Sequence, residues 1–322
     1  MTQNNSTPLE KFLVPVDGSD ASRQAVLFSG CLAHDLSGRV KKITLLHVLA
    51  GSFLSQHMTN VDSRIDHIIK SAEFQKLKEK HIQDDVMPFL DEIESDLLST
   101  EPGSEVEKKV VYGPPAQKII QIAAEEGCSS IIMGRRGRSS VQEVLLGSVT
   151  SSVIHQPNHP SIYVVGHKVM KDKSCPIPRI LVPVDGSPCA KAALEETSLL
   201  GKCYRDRIEK LILLRVIDVA KAEEYSASGI DPDAEANRIM DEAKDKISYS
   251  GIPEDKIEAL IVYGRPVNTI LEIAEKKDVN LIIMGKKGRS PIRELLLGSV
   301  SSEVLHRSIN TTVAIVCAKS TD

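Results

Sequence analysis

The residues best suited to chemistry lie in Met133-Gly134-Arg135-Arg136-Gly137-Arg138, with nine residues separating Gly137 from Gly147-Ser148. The pattern recurs as Met284-Gly285-Lys286-Lys287-Gly288-Arg289, with the same gap before Gly298-Ser299. Each copy follows a β-branched apolar pair, Ile131-Ile132 or Ile282-Ile283, so the first glycine is expected where a buried strand runs out into a loop. Glycine there frees the backbone to turn and lets a ligand approach bare N–H groups. Each Gly-Ser opens a segment with helical spacing, Val149, Val153 and Ile154 or Val300, Val304 and Leu305, with a hydroxyl at Thr150 or Ser301. A helix N-terminus with free amides beside a basic loop suits an anion, phosphate above all. The side chains of Arg135, Arg136, Arg138, Lys286, Lys287 and Arg289 leave two readings open: neutralising phosphate, or solvated loop charge. The backbone amides carry the expectation.

A glycine pair after a strand is common by itself. Here it coincides twice with a strand-end carboxylate, because Val14-Pro15-Val16-Asp17-Gly18-Ser19 returns unchanged as Val182-Pro183-Val184-Asp185-Gly186-Ser187. Asp17 and Asp185 are 168 residues apart, whereas Tyr112-Gly113 and Tyr263-Gly264 are 151 apart, so the first copy carries an insertion between residues 51 and 104. Two like units in tandem are expected, at 8–167 and 179–319, joined by a polar linker at 168–178. Each reads as strand, helix, strand, long helix, strand, helix, strand, glycine loop, helix, strand. The first unit's strands fall at 12–16, 43–48, 106–112, 130–133 and 162–165; the second's at 180–184, 211–216, 257–263, 281–284 and 312–316. Ser19 is placed to cap the first helix, and Pro88 to break or kink the long one. This alternation predicts an α/β fold with doubly wound parallel sheets. If the fourth strand lies beside the first, Asp17 faces Gly134, and Asp185 faces Gly285, across a crevice at the carboxyl ends of the strands.

Much else is excluded. No stretch nears 18 uninterrupted apolar residues, and the polar start lacks the features of an export signal, so a cytoplasmic protein away from membranes is expected. A net charge of −4 with 3% aromatics gives no case for nucleic acid. The six cysteines show no metal or disulfide spacing, and His155, His159 and His306 have no partners suited to a metal. There is no G-x4-G-K-[ST] loop, no G-x-G-x-x-G fingerprint and no Ser-His-Asp order. His47 closes a strand where the second copy has Arg215, which argues for packing rather than shared catalysis.

With these motifs the chain resembles a tandem universal stress protein, two UspA domains in one polypeptide, over nearly its whole length. The resemblance implies two Rossmann-like, adenine nucleotide alpha-hydrolase-like five-stranded sheets, and in one branch of the family ATP bound at this motif. Carried over by position, the base and ribose wall becomes Pro15, Val16, Asp17, Val48 and Met133, and the phosphate loop Gly134, Gly137, Arg138, Gly147, Ser148, Val149 and Thr150. The second half gives Pro183, Val184, Asp185, Val216 and Met284, then Gly285, Gly288, Arg289, Gly298, Ser299, Val300 and Ser301. Two departures are Ser130 and Asn280, where many members have Asp, and Thr311-Thr312 where the first copy keeps Pro160. Family members commonly dimerise through antiparallel fifth strands. Strands 162–165 and 313–316 are therefore expected to pair within the chain as an internal pseudo-dimer, with a homodimer of whole chains built on other surfaces. The expected function is a stress-response regulatory or adaptor module that binds ATP or another adenine nucleotide, with Mg held through the phosphates and a protein partner of unknown identity. The alternatives are a nucleotide-free interaction scaffold and a slow ATPase or nucleotidyl transferase; no catalytic residue is assigned.

Overall fold

The computed structural model describes residues 9–49, 72–137, 146–157, 159–167, 176–229, 231–288 and 297–318. The first half runs β1 (Lys11–Pro15), α1 (Asp20–Asp35), β2 (Lys42–Leu49), α2 (Ala72–His81), a π-helical turn (Ile82–Val86), α3 (Met87–Leu98), β3 (Glu105–Tyr112), α4 (Pro115–Glu125), β4 (Ser130–Gly134), α5 (Ser148–His155) and β5 (Ser161–Val165). The second runs β6 (Arg179–Pro183), α6 (Pro188–Tyr204), β7 (Lys210–Asp218), α7 (Ala222–Ala227), α8 (Pro232–Ser248), β8 (Ile257–Gly264), α9 (Pro266–Lys276), β9 (Leu281–Gly285), α10 (Ser299–Arg307) and β10 (Thr312–Val316). Helix starts follow local chemistry. Ser19 caps α1 by accepting from the Ser22 amide, and Asp231 caps α8 ahead of Pro232 in its first turn.

The strands form one ten-stranded sheet in the order β3-β2-β1-β4-β5-β10-β9-β6-β7-β8. Within each half every pairing is parallel, and the fourth strand returns beside the first, as the sequence predicts. The halves join through β5 and β10, antiparallel, with Val164 opposite Val313, Tyr163 opposite Ala314 and Ile162 opposite Ile315. That seam consumes the two fifth-strand edges. The outer edge strand β3 carries Glu105, Glu107, Lys108 and Lys109, charges that discourage pairing with another sheet.

Helices cover both faces, so inner strands need no polar alternation, and β9 reads Leu-Ile-Ile-Met-Gly. One apolar layer packs α1, α3, α6 and α8 against Val14, Ile43, Val182 and Leu211; the other packs α4, α5, α9 and α10 against Leu13, Leu46, Leu181 and Ile212. At the seam, Glu196 of α6 accepts from Ser161 and Tyr163 of β5, across the boundary between halves. Burial pushes the Glu196 carboxyl pKa up, and these two bonds only partly oppose it.

The structure sharpens the sequence expectations locally in three places. The long helix is interrupted near Pro88 as expected, but by a π turn at Ile82–Val86 that divides α2 from α3 and leaves Pro88 in the first turn of α3, where its ring meets no regular helix. Buried residues Val86, Leu90, Ile93 and Leu97 of the first half match Ala236, Met240, Ala243 and Ile247 at a constant offset of 150, so the insertion falls before Val86 rather than anywhere up to residue 104. Of the stretch 168–178, the described residues 176–178 pack into the second half: Ile177 is fully buried, and the Pro178 carbonyl accepts from Glu209 and Lys210. A cleft of about 500 Å³ lies between α6 and α8, with Leu194, Ile239 and Ala243 in its lining.

Candidate functional site

At the carboxyl end of β1, Gly18 turns the chain at φ +81°, which a side chain would strain, and brings Ser19 back over Asp17. The Ser19 amide and hydroxyl lie 3.0 and 2.6 Å from Asp17 Oδ1, which fixes the carboxylate's orientation. The other oxygen, Oδ2, points at Gly137: a Cβ on that glycine would stand 2.2 Å from it. The second half repeats this arrangement. Gly186 has φ +78°, the Ser187 amide donates to Asp185 Oδ1 at 2.9 Å, and a Cβ on Gly288 would come within 2.7 Å of Asp185 Oδ2. Ser19 and Ser187 each reach the loop carbonyl before the glycine, Arg136 or Lys287, at 3.3 Å.

Across from each carboxylate stands a helix start. Gly147 precedes α5 and Gly298 precedes α10, and among the described residues no side chain caps either helix. The first-turn amides of an α-helix have no intrahelical acceptor, and those of Ser148 and Val149, and of Ser299 and Val300, are in this position. Ser148 and Ser299 are exposed, and Val149 and Val300 half-buried. A Cβ on Gly147 would press within 3.1 Å of the Arg135 carbonyl and 3.2 Å of Arg136 Cα, so the bare backbone keeps this corner narrow. Among the described residues, each mouth thus joins a carboxylate oxygen without a hydrogen bond, a glycine without a side chain and a positive helix end. That combination suits a ligand with hydroxyls at one end and an anion at the other.

Several expected site residues take other roles. Gly134 and Gly285 are the last residues of β4 and β9, not loop residues. A Cβ on Gly134 would lie 2.5 Å from the Ala21 carbonyl oxygen, and one on Gly285 2.6 Å from Cys189 Cβ, so these glycines permit close packing of α1 and α6. Asp17 and Asp185 consequently face Gly137 and Gly288 rather than Gly134 and Gly285. The amides of Gly147 and Gly298 are already given to the carbonyls of Arg135 and Lys286, at 2.8 and 2.9 Å. The hydroxyls of Thr150 and Ser301 donate inward to the carbonyls of Gly134 and Gly285. Val16 and Val184, both 3% exposed, point into the α1/α6 layer, opposite the glycine loops, because alternation along a strand sends neighbours to opposite faces. The Val16 amide and carbonyl are also engaged, by Leu46 and His47. On the other face, Pro15 and Val48 are half-buried, and Met133, Met284 and Val216 are buried beneath the mouths. Arg138 and Arg289 lie outside the described residues.

Two basic residues do something that neither sequence reading offered. Arg135 is 3% exposed, and its guanidinium donates to the carbonyls of Ser308, Leu305 and His306 at 2.6, 2.8 and 3.0 Å, across the boundary between halves at the end of α10. Lys286, 5% exposed, donates in the reverse direction to the Gln156 carbonyl at the end of α5, at 2.5 Å. Burial, with some repulsion from Arg136, lowers the Arg135 pKa to about 10. Burial likewise lowers that of Lys286. His159, in the same region, is lowered to about 4 by burial and then by Lys286. No sequence signal marked these contacts, since they join residues about 170 and 130 positions apart. Among the described residues no group of three or more His, Cys, Asp or Glu side chains is placed to hold a metal. No described helix is long and apolar enough to cross a membrane.

The fold is that of a duplicated α/β protein of the Rossmann-like class, a class in which ligands sit at the carboxyl edge of a parallel sheet. The universal stress protein family matches residues 8–164 and 176–316, and the chain belongs to that family. It is 25% identical over 315 residues to a universal stress protein of Mycolicibacterium smegmatis, covering 94% of this chain and 96% of that one. It is 34% identical over 160 residues to the universal stress protein MJ0577 of Methanocaldococcus jannaschii, covering 44% of this chain and 96% of the shorter relative. A universal stress protein from Archaeoglobus fulgidus, solved as a crystal structure, superposes with a TM-score of 0.63 at 25% identity, covering 96% of this chain and 98% of that one.

Proposed function

We propose that each half binds an adenine nucleotide, ATP first, and that the protein acts as a nucleotide-dependent regulatory or adaptor module in the stress response. The observation that carries this reading is the twice-repeated pairing of an oriented carboxylate, with Oδ2 turned to a bare glycine, and an uncapped helix start. Asp17 and Asp185 would accept from the ribose hydroxyls. The amides of Ser148 and Val149, and of Ser299 and Val300, would take the phosphates. The base would lie against Pro15 and Val48, or Pro183 and Val216, over Met133 or Met284. A magnesium ion would be held through the phosphate oxygens, because this hard cation binds oxygen ligands and keeps much of its water. Binding would order the glycine loops and thereby alter a surface that a partner reads.

Isothermal titration with ATP, with and without magnesium, tests the reading; two equivalents per chain are expected, and GTP should compete poorly. Saturable ATP binding that survives in an Asp17→Ala/Asp185→Ala/Gly147→Val/Gly298→Val variant would place the nucleotide elsewhere. Phosphate release measured over hours with excess ATP separates binding from turnover.

A further inference from the structure

The cross-boundary contacts of Arg135 and Lys286 form a closed circuit. The Arg135 carbonyl accepts the Gly147 amide at the start of α5, while its guanidinium holds three carbonyls at the end of α10. The Lys286 carbonyl accepts the Gly298 amide at the start of α10, while its ammonium holds the Gln156 carbonyl at the end of α5. Each helix is therefore gripped at both ends by the same two residues, and each residue belongs to the loop of one mouth and the helix of the other.

We propose that Arg135 and Lys286 are positioning residues that couple the two mouths, so that filling one raises the affinity of the other. The inference rests on the nucleotide reading above and adds regulation to it. The physical steps are short. An anion on the Ser148 and Val149 amides immobilises α5. The end of α5 carries the Gln156 carbonyl and through it Lys286, whose own carbonyl sets the position of Gly298 before α10. Burial makes the linkage stiff. A guanidinium 3% exposed to solvent with three carbonyl acceptors cannot release them to water cheaply, so α10 and the Arg135 loop move as one piece. A second nucleotide then binds a mouth whose ordering cost has been partly met, which gives positive cooperativity without a change of fold. The cations also sit at helix carboxyl ends, where they favour the same alignment of dipole that presents positive amides to phosphate at the other end.

Native mass spectrometry of the full chain titrated with ATP reads the coupling directly, as the proportions of empty, singly and doubly loaded protein. Uncoupled sites give a singly loaded fraction of about one half at half-saturation if identical, and more if their affinities differ. About tenfold coupling lowers that fraction to roughly one quarter. The wild-type protein is expected near the lower figure. Lys286→Met, Arg135→Met and the combined variant should still load both mouths, but with the singly loaded species back at about half or above. Arg135→Lys keeps a cation with fewer donors, should give an intermediate distribution, and serves if Arg135→Met does not fold. A wild-type singly loaded fraction above that of the combined variant overturns the coupling while leaving the nucleotide reading intact. So does a fraction unmoved by the substitutions. Failure of ATP to load at all overturns the nucleotide reading, and the coupling falls with it.

Discussion

Replacing Gly137 with alanine tests the carboxylate-to-glycine geometry with the smallest possible change. The added Cβ would lie 2.2 Å from Asp17 Oδ2, about 1 Å inside ordinary contact, so either the loop or the carboxylate must move. Rotating Asp17 away would break its bonds from the Ser19 amide and hydroxyl, at 3.0 and 2.6 Å, and turn Oδ2 from the direction in which a ribose would lie. A hydrogen bond to a charged group contributes about 1.5–3 kcal/mol, which converts to roughly a ten- to 150-fold loss of affinity at that mouth. The clash falls on a side-chain oxygen rather than on backbone, so folding stability should drop by no more than such a bond contributes, about 1.5–3 kcal/mol. Titration calorimetry with ATP should show the tight stoichiometry fall from two equivalents to one, with the second mouth still filling. Gly288→Ala should act in the same direction but more weakly, because its Cβ would stand 2.7 Å from Asp185 Oδ2. Two tight equivalents in Gly137→Ala, with affinity within twofold of wild type, would refute the assignment of Asp17 to ligand contact.

Gly134→Ala should behave differently: its Cβ meets backbone, 2.5 and 2.6 Å from the Ala21 carbonyl oxygen and carbon, so α1 must shift and stability should drop by about 1–3 kcal/mol in urea melts. A loss under about 0.5 kcal/mol would show that this glycine is not needed for packing. At the seam, burial holds the Glu196 carboxyl above its ordinary pKa, so the folded protein binds that proton more tightly than the unfolded chain and loses stability as pH rises through and above the carboxylate range. Glu196→Gln should therefore gain stability relative to wild type at pH 7, with the gain shrinking toward pH 4; a gain independent of pH would contradict a buried ionisable origin. His159 gives the opposite slope. With a pKa lowered from 6.5 to about 4, it makes the folded state refuse a proton that the unfolded chain accepts, so stability is lost as pH drops from about 6.5 to about 4, by up to about 3 kcal/mol. His159→Gln should flatten that part of the stability profile, and an unchanged slope would assign the acid sensitivity to other groups.

Element types and order were legible along the chain because both units repeat the same apolar runs. Strand ends moved by a residue or two, as with β1 at Lys11–Pro15 rather than 12–16, since periodicity says little about where a ladder stops. The short helix α7 has no signal in the apolar spacing, and the position of the insertion shows only in the matching buried faces of α3 and α8. At the site, Asp17, Gly137 and the helix start after Gly147 were recognisable because a strand-end acid, a loop glycine and a Gly-Ser are local signals, each seen twice.

Local patterning therefore determined the duplication, the parallel half-sheets and the residue types at both mouths, since strand and helix periods are written in neighbouring residues. Tertiary structure alone decided which glycine faces the acid and which merely lets a helix approach, because both positions tolerate only a missing side chain. It also decided the fate of Arg135 and Lys286. Loop lysines and arginines read as solvent or phosphate contacts until the antiparallel joining of β5 and β10 brings the opposite half's helix ends within 3 Å, and burial leaves those carbonyls as their acceptors.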